Sequence, residues 1–398
     1  MKKGLVFIGA LAVALSAVMA DRWEGEGETS AIAQEAPETP ETPVSETERP
    51  TAVSRDRQEL PLPEALASIL NDESVLPDDA SERITAFAAG RDAQQEPVTI
   101  VREDLDADGA ANEWAAVLFE DILVPGTEET LRRAAYGIVL AYADGRYSVQ
   151  SFEFPEESYG RAKLETVAEL TGDERPDIVW ASFLVGAHTS HAAFTVSSWA
   201  DGKLRMVQGT ADIPNVSRAT AEDGKLALTG GLIGSAGAGP WQREYTDEYV
   251  VAEGALVRVD RTFAASPTPY HRLLDALWSE ALGHTDRAKR SFAEAIEMEG
   301  ASYEGYQFET ETHDFVEGGS EPEREAAFEA AAKAFAGFRL ELLKRVESGE
   351  SREAACASAK EAAGYDAGWL PPLNSPFGYA NPQWSEETIC ARIDALEP

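Results

Sequence analysis

Cysteine is almost missing from this chain: Cys356 and Cys390 are the two in 398 residues. That excludes a disulfide-dense scaffold, and with no histidine beside either cysteine it disfavours a zinc site. Basic residues are scarce as well, 34 Lys+Arg against 71 Asp+Glu, which leaves a formal net charge of −37. A surface of that sign repels phosphate backbones, so no nucleic-acid partner is expected. Long apolar runs are lacking; the stretch from Gly4 to Ala20 is 17 residues, marginal for a membrane span and followed at once by acidic sequence. No H-E-x-x-H or G-x-S-x-G motif occurs, and the glycine-rich string Gly230 to Gly239 has neither the P-loop lysine nor the dinucleotide spacing. It reads as a loop between strands.

What is present describes an exported, folded protein. A hydrophobic fraction of 43% is too high for a fully disordered chain, and 398 residues exceed one comfortable core, so two or three domains are expected. Lys2 and Lys3 precede the apolar stretch, and small residues with Val18 and Ala20 lead to Asp21, the pattern of a cleaved signal peptide over 1–20. Cleavage removes two lysines and takes the charge from −37 to −39. With no cysteine at the new N-terminus, no lipid anchor is indicated. The expected location is secreted or periplasmic, at the cell envelope, with no transmembrane span after cleavage. In an oxidising compartment Cys356 and Cys390, 34 residues apart, are expected to pair, the alternative being two free buried thiols.

Segments 21–59 and 60–96 differ in texture. Glu24 to Pro50 holds eight Glu, one Arg, four Pro and four Thr, a composition that cannot bury enough surface to offset its ordering entropy, so 21–59 reads as an extended acidic tether. Within 60–96, Pro63 opens one short helix and Asp79 caps another that stops at Gly90. From 97 to 265 the pattern turns to β, punctuated by Asp144-Gly145, Asp201-Gly202, Asp223-Gly224 and Glu253-Gly254 between apolar runs. These are type I′ hairpin signals and imply about eight strands or more. The region repeats internally: Val101 to Phe119 resembles Val167 to Phe183, each followed by a strand and an Ala-Asp-Gly turn. Over 266–398 the period is helical, with two helices joined at Gly283, a long helix over Glu321 to Glu347, a stop at Gly349, and a last helix capped by Ser351. The two helical hairpins match at an offset of 66, pairing Gly283 with Gly349 and Ala288 with Ala354.

One string carries chemistry: Asp104-Leu-Asp106-Ala-Asp108-Gly109-Ala-Ala-Asn112-Glu113. Oxygen side chains at positions 1, 3, 5 and 9 of a tight loop with glycine at 6 can converge on a hard cation, position 7 giving a backbone carbonyl. That selects Asp104, Asp106, Asp108, Ala110 and Asn112 as ligands of one Ca2+. Without flanking helices, and with Ala115 at position 12, an EF-hand is disfavoured. The string resembles the calcium loop of FG-GAP or VCBS repeats, the integrin-type propeller units, where such a loop joins two β-strands. The resemblance implies a structural Ca2+ and a propeller-like arrangement. A weaker second metal loop is offered by Glu169, Thr171, Asp173 and Asp177, where Glu174 replaces the glycine. The alternative for both is an Asx-rich turn without metal. Ala281-Leu-Gly283, Ala288, Phe292 and Ala295-Ile296 resemble tetratricopeptide hairpins. The strings Gly186-Ala-His188-Thr-Ser-His191 and Gly378 to Ser385 with Cys390 resemble those of secreted bacterial proteins, a likeness that supplies a compartment and no activity.

The fold class expected is multidomain β + α: an antiparallel, partial-propeller-like β domain, then an α-helical hairpin domain closed by a disulfide. The function expected is a non-enzymatic, calcium-stabilised binding module with a protein or glycan partner, and no catalytic residue is assigned. Trp180, Trp199 and Trp241 are either a glycan-stacking face or core. The competing reading is a secreted hydrolase with a site near His188 and His191, although residues three apart on a strand point to opposite faces.

Overall fold

Asp144 (φ 52°) followed by Gly145 (φ 75°) makes a turn with positive φ at both central residues, and Asp201-Gly202, Asp223-Gly224 and Glu253-Gly254 repeat it within a few degrees. Such turns match the twist of flanking strands, and here they close four antiparallel hairpins. The structure is a computed structural model and describes residues 62–72, 79–91, 99–123, 130–155, 161–186, 189–233, 242–303, 322–376, 378 and 381–395. All of them fall within one compact unit, Val53–Pro398. The signal and the tether read from the sequence, 1–59, lie outside the described residues.

Three antiparallel sheets follow one another along the chain. The first has β1 (Ile100–Glu103), β2 (Glu113–Leu123), β3 (Thr130–Ala143) and β4 (Arg146–Glu153) in sequential order. The second has β5 (Ala162–Ala168), β6 (Asp177–Val185), β7 (Ser190–Ala200) and β8 (Lys203–Met206), with β9 (Ala211–Pro214) also pairing β7. The third has β10 (Arg218–Glu222), β11 (Lys225–Gly230), β12 (Tyr245–Ala252) and β13 (Ala255–Phe263).

Strands buried on both faces read as continuous apolar runs rather than as alternation. In β2, Trp114 and Leu118 point to one core, while Ala115, Val117 and Phe119 point to another shared with Trp180 and Trp199 of the second sheet. In β6, Ile178 and Trp180 face the first sheet, and Val179 and Ala181 face Leu226, Leu228 and Tyr249 of the third. The outer face of the first sheet is closed by α1 (Leu62–Leu70) and α2 (Ala80–Arg91), through Leu62, Leu66, Ile69, Ile84 and Phe87. The helices of 60–96 are thus a cover on the β part rather than a separate body. Asn71 fastens them: its Nδ2 donates to the Tyr147 carbonyl at 2.7 Å, and its Oδ1 accepts from the Tyr147 amide at 2.8 Å.

Beyond Phe263 the chain is helical. In α3 (Pro269–Ala281), Pro269 holds the first turn and the Thr268 hydroxyl accepts from the His271 amide at 3.2 Å. Next come α4 (Thr285–Glu297), α5 (Pro322–Glu347), α6 (Arg352–Ala362) and the short α7 (Leu370–Asn374). The repeat at offset 66 holds at the turns, where Gly283 and Gly349 both have positive φ, and fails inside the helices. Ala288 is buried and Ala354 is exposed; Ala355 takes the buried place, because the Ser351 cap starts α6 one residue later relative to its glycine.

The C-terminal segment is held by charge and by a covalent bond. Cys356 and Cys390 form the expected disulfide, with Cα atoms 6.0 Å apart. Arg339, fully buried, donates from Nη1 to the carbonyls of Ile389 (3.0 Å) and Ala391 (2.6 Å) and from Nη2 to Glu280 (2.7 Å). Arg352 reaches the other Glu280 oxygen at 2.9 Å and the Cys390 carbonyl at 2.6 Å. Removing one member of a buried ion pair leaves an uncompensated charge, which costs about 3–5 kcal/mol. Arg339→Met is therefore expected to lower the urea-unfolding free energy by about that amount. Lys289→Ala, which breaks only exposed pairs with Asp286 and Glu347, is expected to leave that free energy nearly unchanged.

Candidate metal centre

The loop between β1 and β2 is wound by its own aspartates. The Asp108 amide donates to Asp104 Oδ1 at 3.0 Å and to Asp106 Oδ1 at 3.1 Å; the Gly109 amide donates to Asp104 Oδ2 at 2.9 Å and the Ala110 amide to Asp108 Oδ1 at 2.8 Å. Gly109 has φ 92°, a conformation that L side chains rarely adopt, so glycine is required there. Winding in this sense brings carboxylate oxygens of Asp104, Asp106 and Asp108 within 4.8 Å of one another. Three anions that close repel unless a cation is shared. Asn112 stands at the end of the loop with its buried Oδ1 lacking any hydrogen-bond partner.

Glu113, the first residue of β2, is the ligand candidate that loop spacing missed. It is 1% exposed. One carboxylate oxygen, Oε2, accepts from the Leu105 amide at 3.2 Å; the other, Oε1, has no partner. Burial pushes its pKa up to about 7, the negative charges of Asp106 and Asp108 push the same way, and the amides of Leu105 and Tyr142 oppose. The sequence signal was a fourth acid, directly after Asn112, at the point where the apolar run of β2 begins. An acid at that border is drawn inward by the strand it starts.

The second loop, between β5 and β6, gives its buried acid partners within the protein. Asp177, first residue of β6 and fully buried, accepts from the amides of Leu170 (2.8 Å) and Thr171 (2.9 Å) and from the Thr171 hydroxyl (3.3 Å). Glu169 accepts from the Gly172 amide, and Asp173 pairs with Arg175 at 3.1 Å. All four residues assigned to a second metal loop are thereby occupied inside the protein. Glu174 carries the positive φ (65°) where glycine was expected. The position-nine pairing of Asp177 with Asn112 also needs correction. Asp177 and Glu113 are the counterparts, each heading the second strand of its sheet and each accepting from a leucine amide; the first loop is one residue longer.

The remaining candidates separate. His188 and Trp241 lie outside the described residues. Ser190 Oγ donates to Asn215 at 3.1 Å, which ties it down rather than presenting it to His191. Trp180 and Trp199 are in the core, and Trp180 gives its Nε1 hydrogen to Ser197 at 2.8 Å, so neither offers a stacking face to a glycan.

An acid whose folded pKa lies above its unfolded value binds more protons when folded, so its contribution to stability falls as pH rises between the two values. For Glu113 that window runs from about 4.5 to about 7. In chelator, Glu113→Gln is expected to match the wild-type melting temperature near pH 4.5 and to exceed it increasingly up to pH 7.5. Parallel curves across that range would contradict the assignment. No protein-family model matches this chain, and no curated protein matches it either.

Proposed function

We propose that this is an exported, non-enzymatic binding protein of the cell envelope or extracellular space, with its β part held by one structural calcium ion. The carrying observation is the unpartnered buried oxygen of Glu113 beside three converging aspartates. An all-oxygen set of carboxylates and an amide carbonyl suits a hard cation, and calcium tolerates such irregular geometry. Asp104, Asp106, Asp108, Asn112 and Glu113 would hold it, with a backbone carbonyl at Ala110. When bound, the ion supplies positive charge and a fixed centre that ties β1 to β2.

The sheets are read as blades of an open, FG-GAP-like partial propeller. What supports this is the run of four sequential strands in each, their stacking in chain order, and the hairpin of the same type that closes each run. The helical pairs α3–α4 and α5–α6 are read as tetratricopeptide-like hairpins on the same kind of support, small residues buried at the crossing. Export is supported by the disulfide and by the signal-like N-terminal sequence; among the described residues no helix is long and apolar enough to cross a membrane. With Trp180 and Trp199 in the core, a protein partner is favoured over a glycan.

Calcium that binds only the folded chain stabilises it by about 2.7 kcal/mol at a hundredfold excess over Kd. For a unit the size of Val53–Pro398 that corresponds to a rise of roughly 4 °C in Tm. Thermal melts in calcium and in chelator are expected to differ by that much, and the double substitution Asp104→Asn with Asp106→Asn is expected to abolish the difference. Coincident melts of the wild type would overturn the proposal.

A further inference from the structure

The end of β4 and the adjacent face of the second sheet enclose a half-open cleft of about 410 Å³, within the range of small-molecule sites. Its large apolar lining is Phe152, Phe154 and Met206, the last 42% exposed. Ser182, Thr195, Thr210 and Asp212 also line it. Among the described residues, none of these four side chains makes a hydrogen bond or ion pair with the protein. Ser182 is buried, Thr195 half-buried, and Thr210 and Asp212 exposed, so their polar groups are available to a guest in the cleft.

Among the described residues no lysine or arginine lines the cleft. The Asp212 carboxylate reaches solvent at the mouth, yet burial holds its pKa above the ordinary carboxylate value. His191 and Arg258 act in the opposite sense. An anion would meet Asp212 in a chain of charge −37. A purely apolar guest would strip water from that carboxylate and return nothing. A cation placed between the carboxylate and the phenyl faces gains from both, and its N–H groups find the threonine and serine hydroxyls.

We propose that this cleft binds a small organic amine: a protonated nitrogen at Asp212 and a compact apolar body against Phe152 and Phe154. The site is separate from the calcium loop and does not depend on it.

The test is a ligand-observed NMR titration of the full chain at 0.15 M salt, with benzylamine against benzyl alcohol, which has the same shape and no charge. Benzylamine is expected to bind saturably and at least tenfold more tightly. Asp212→Asn is expected to remove that tenfold preference, and Asp201→Asn, an equally acidic hairpin position elsewhere, to leave it intact. Because Met206 is exposed, Met206→Trp leaves the fold in place and fills the mouth; it is expected to weaken benzylamine binding severalfold. Absence of saturable binding, equal binding of the two probes, or a preference that survives Asp212→Asn would each overturn the proposal.

Discussion

A chain with twice as many acids as bases has to decide where a carboxylate can be buried, and four in this protein are: Glu113, Asp177, Asp247 and Glu280 among the described residues. Desolvating a carboxylate costs several kcal/mol unless donors or cations replace the lost water. Asp177 is satisfied by two amides and a hydroxyl. Asp247 is held by Arg261 through two bonds, at 2.6 and 2.7 Å, with Arg258 at 3.3 Å. Glu280 is shared by Arg339 and Arg352. Glu113 alone keeps an oxygen with no partner, and its nearest charged neighbours are anions. The metal reading grows from that imbalance, more than from the Asp-x-Asp-x-Asp spacing, which exposed turns also show.

The same constraint joins the two halves of the molecule. Arg261, neutralising Asp247 of β12, lies 3.8 Å over the Trp278 ring of α3 and 4.1 Å over Tyr245, so one guanidinium ties the third sheet to the first helix of the helical part. Arg243 extends the seam by reaching Asp275 at 2.5 Å and the His271 carbonyl at 3.0 Å. Arginine suits such sites because its planar fork can bond a carboxylate and stack on a ring at once. At the far end, Arg339 and Arg352 bond the carbonyls on either side of Cys390 and Cys390 itself, so the covalent bridge and the buried ion pairs fix one segment twice.

Local geometry was legible in the sequence wherever one or two residues decide it. Asp144-Gly145 and its three counterparts are turns because few residue pairs tolerate two positive φ values, and Ser351 caps α6 because its hydroxyl reaches the Ala354 amide. Residues whose role is set across the fold were not legible. Glu113 looked like the tail of a loop motif, and only the inward pull of β2 makes it a buried anion. Asn71 sits after a helix like any polar residue, and its clamp on Tyr147 spans 76 positions. The second loop kept the spacing of oxygen side chains, but spacing cannot say whether amides have already consumed them, as they have at Asp177. The alanines of the helical repeat misaligned by one because the glycine turns, not the helix starts, set the comparison.

The account therefore predicts an asymmetry between two loops that look alike in sequence, and the count of bound ions reads it directly. Equilibrium dialysis of the disulfide-intact chain against calcium at pH 7.5 should give one ion per molecule. Asp177→Asn should leave that count unchanged, and Glu113→Gln should weaken binding at least tenfold. A stoichiometry of zero, a stoichiometry of two, or a single site indifferent to Glu113 would contradict it.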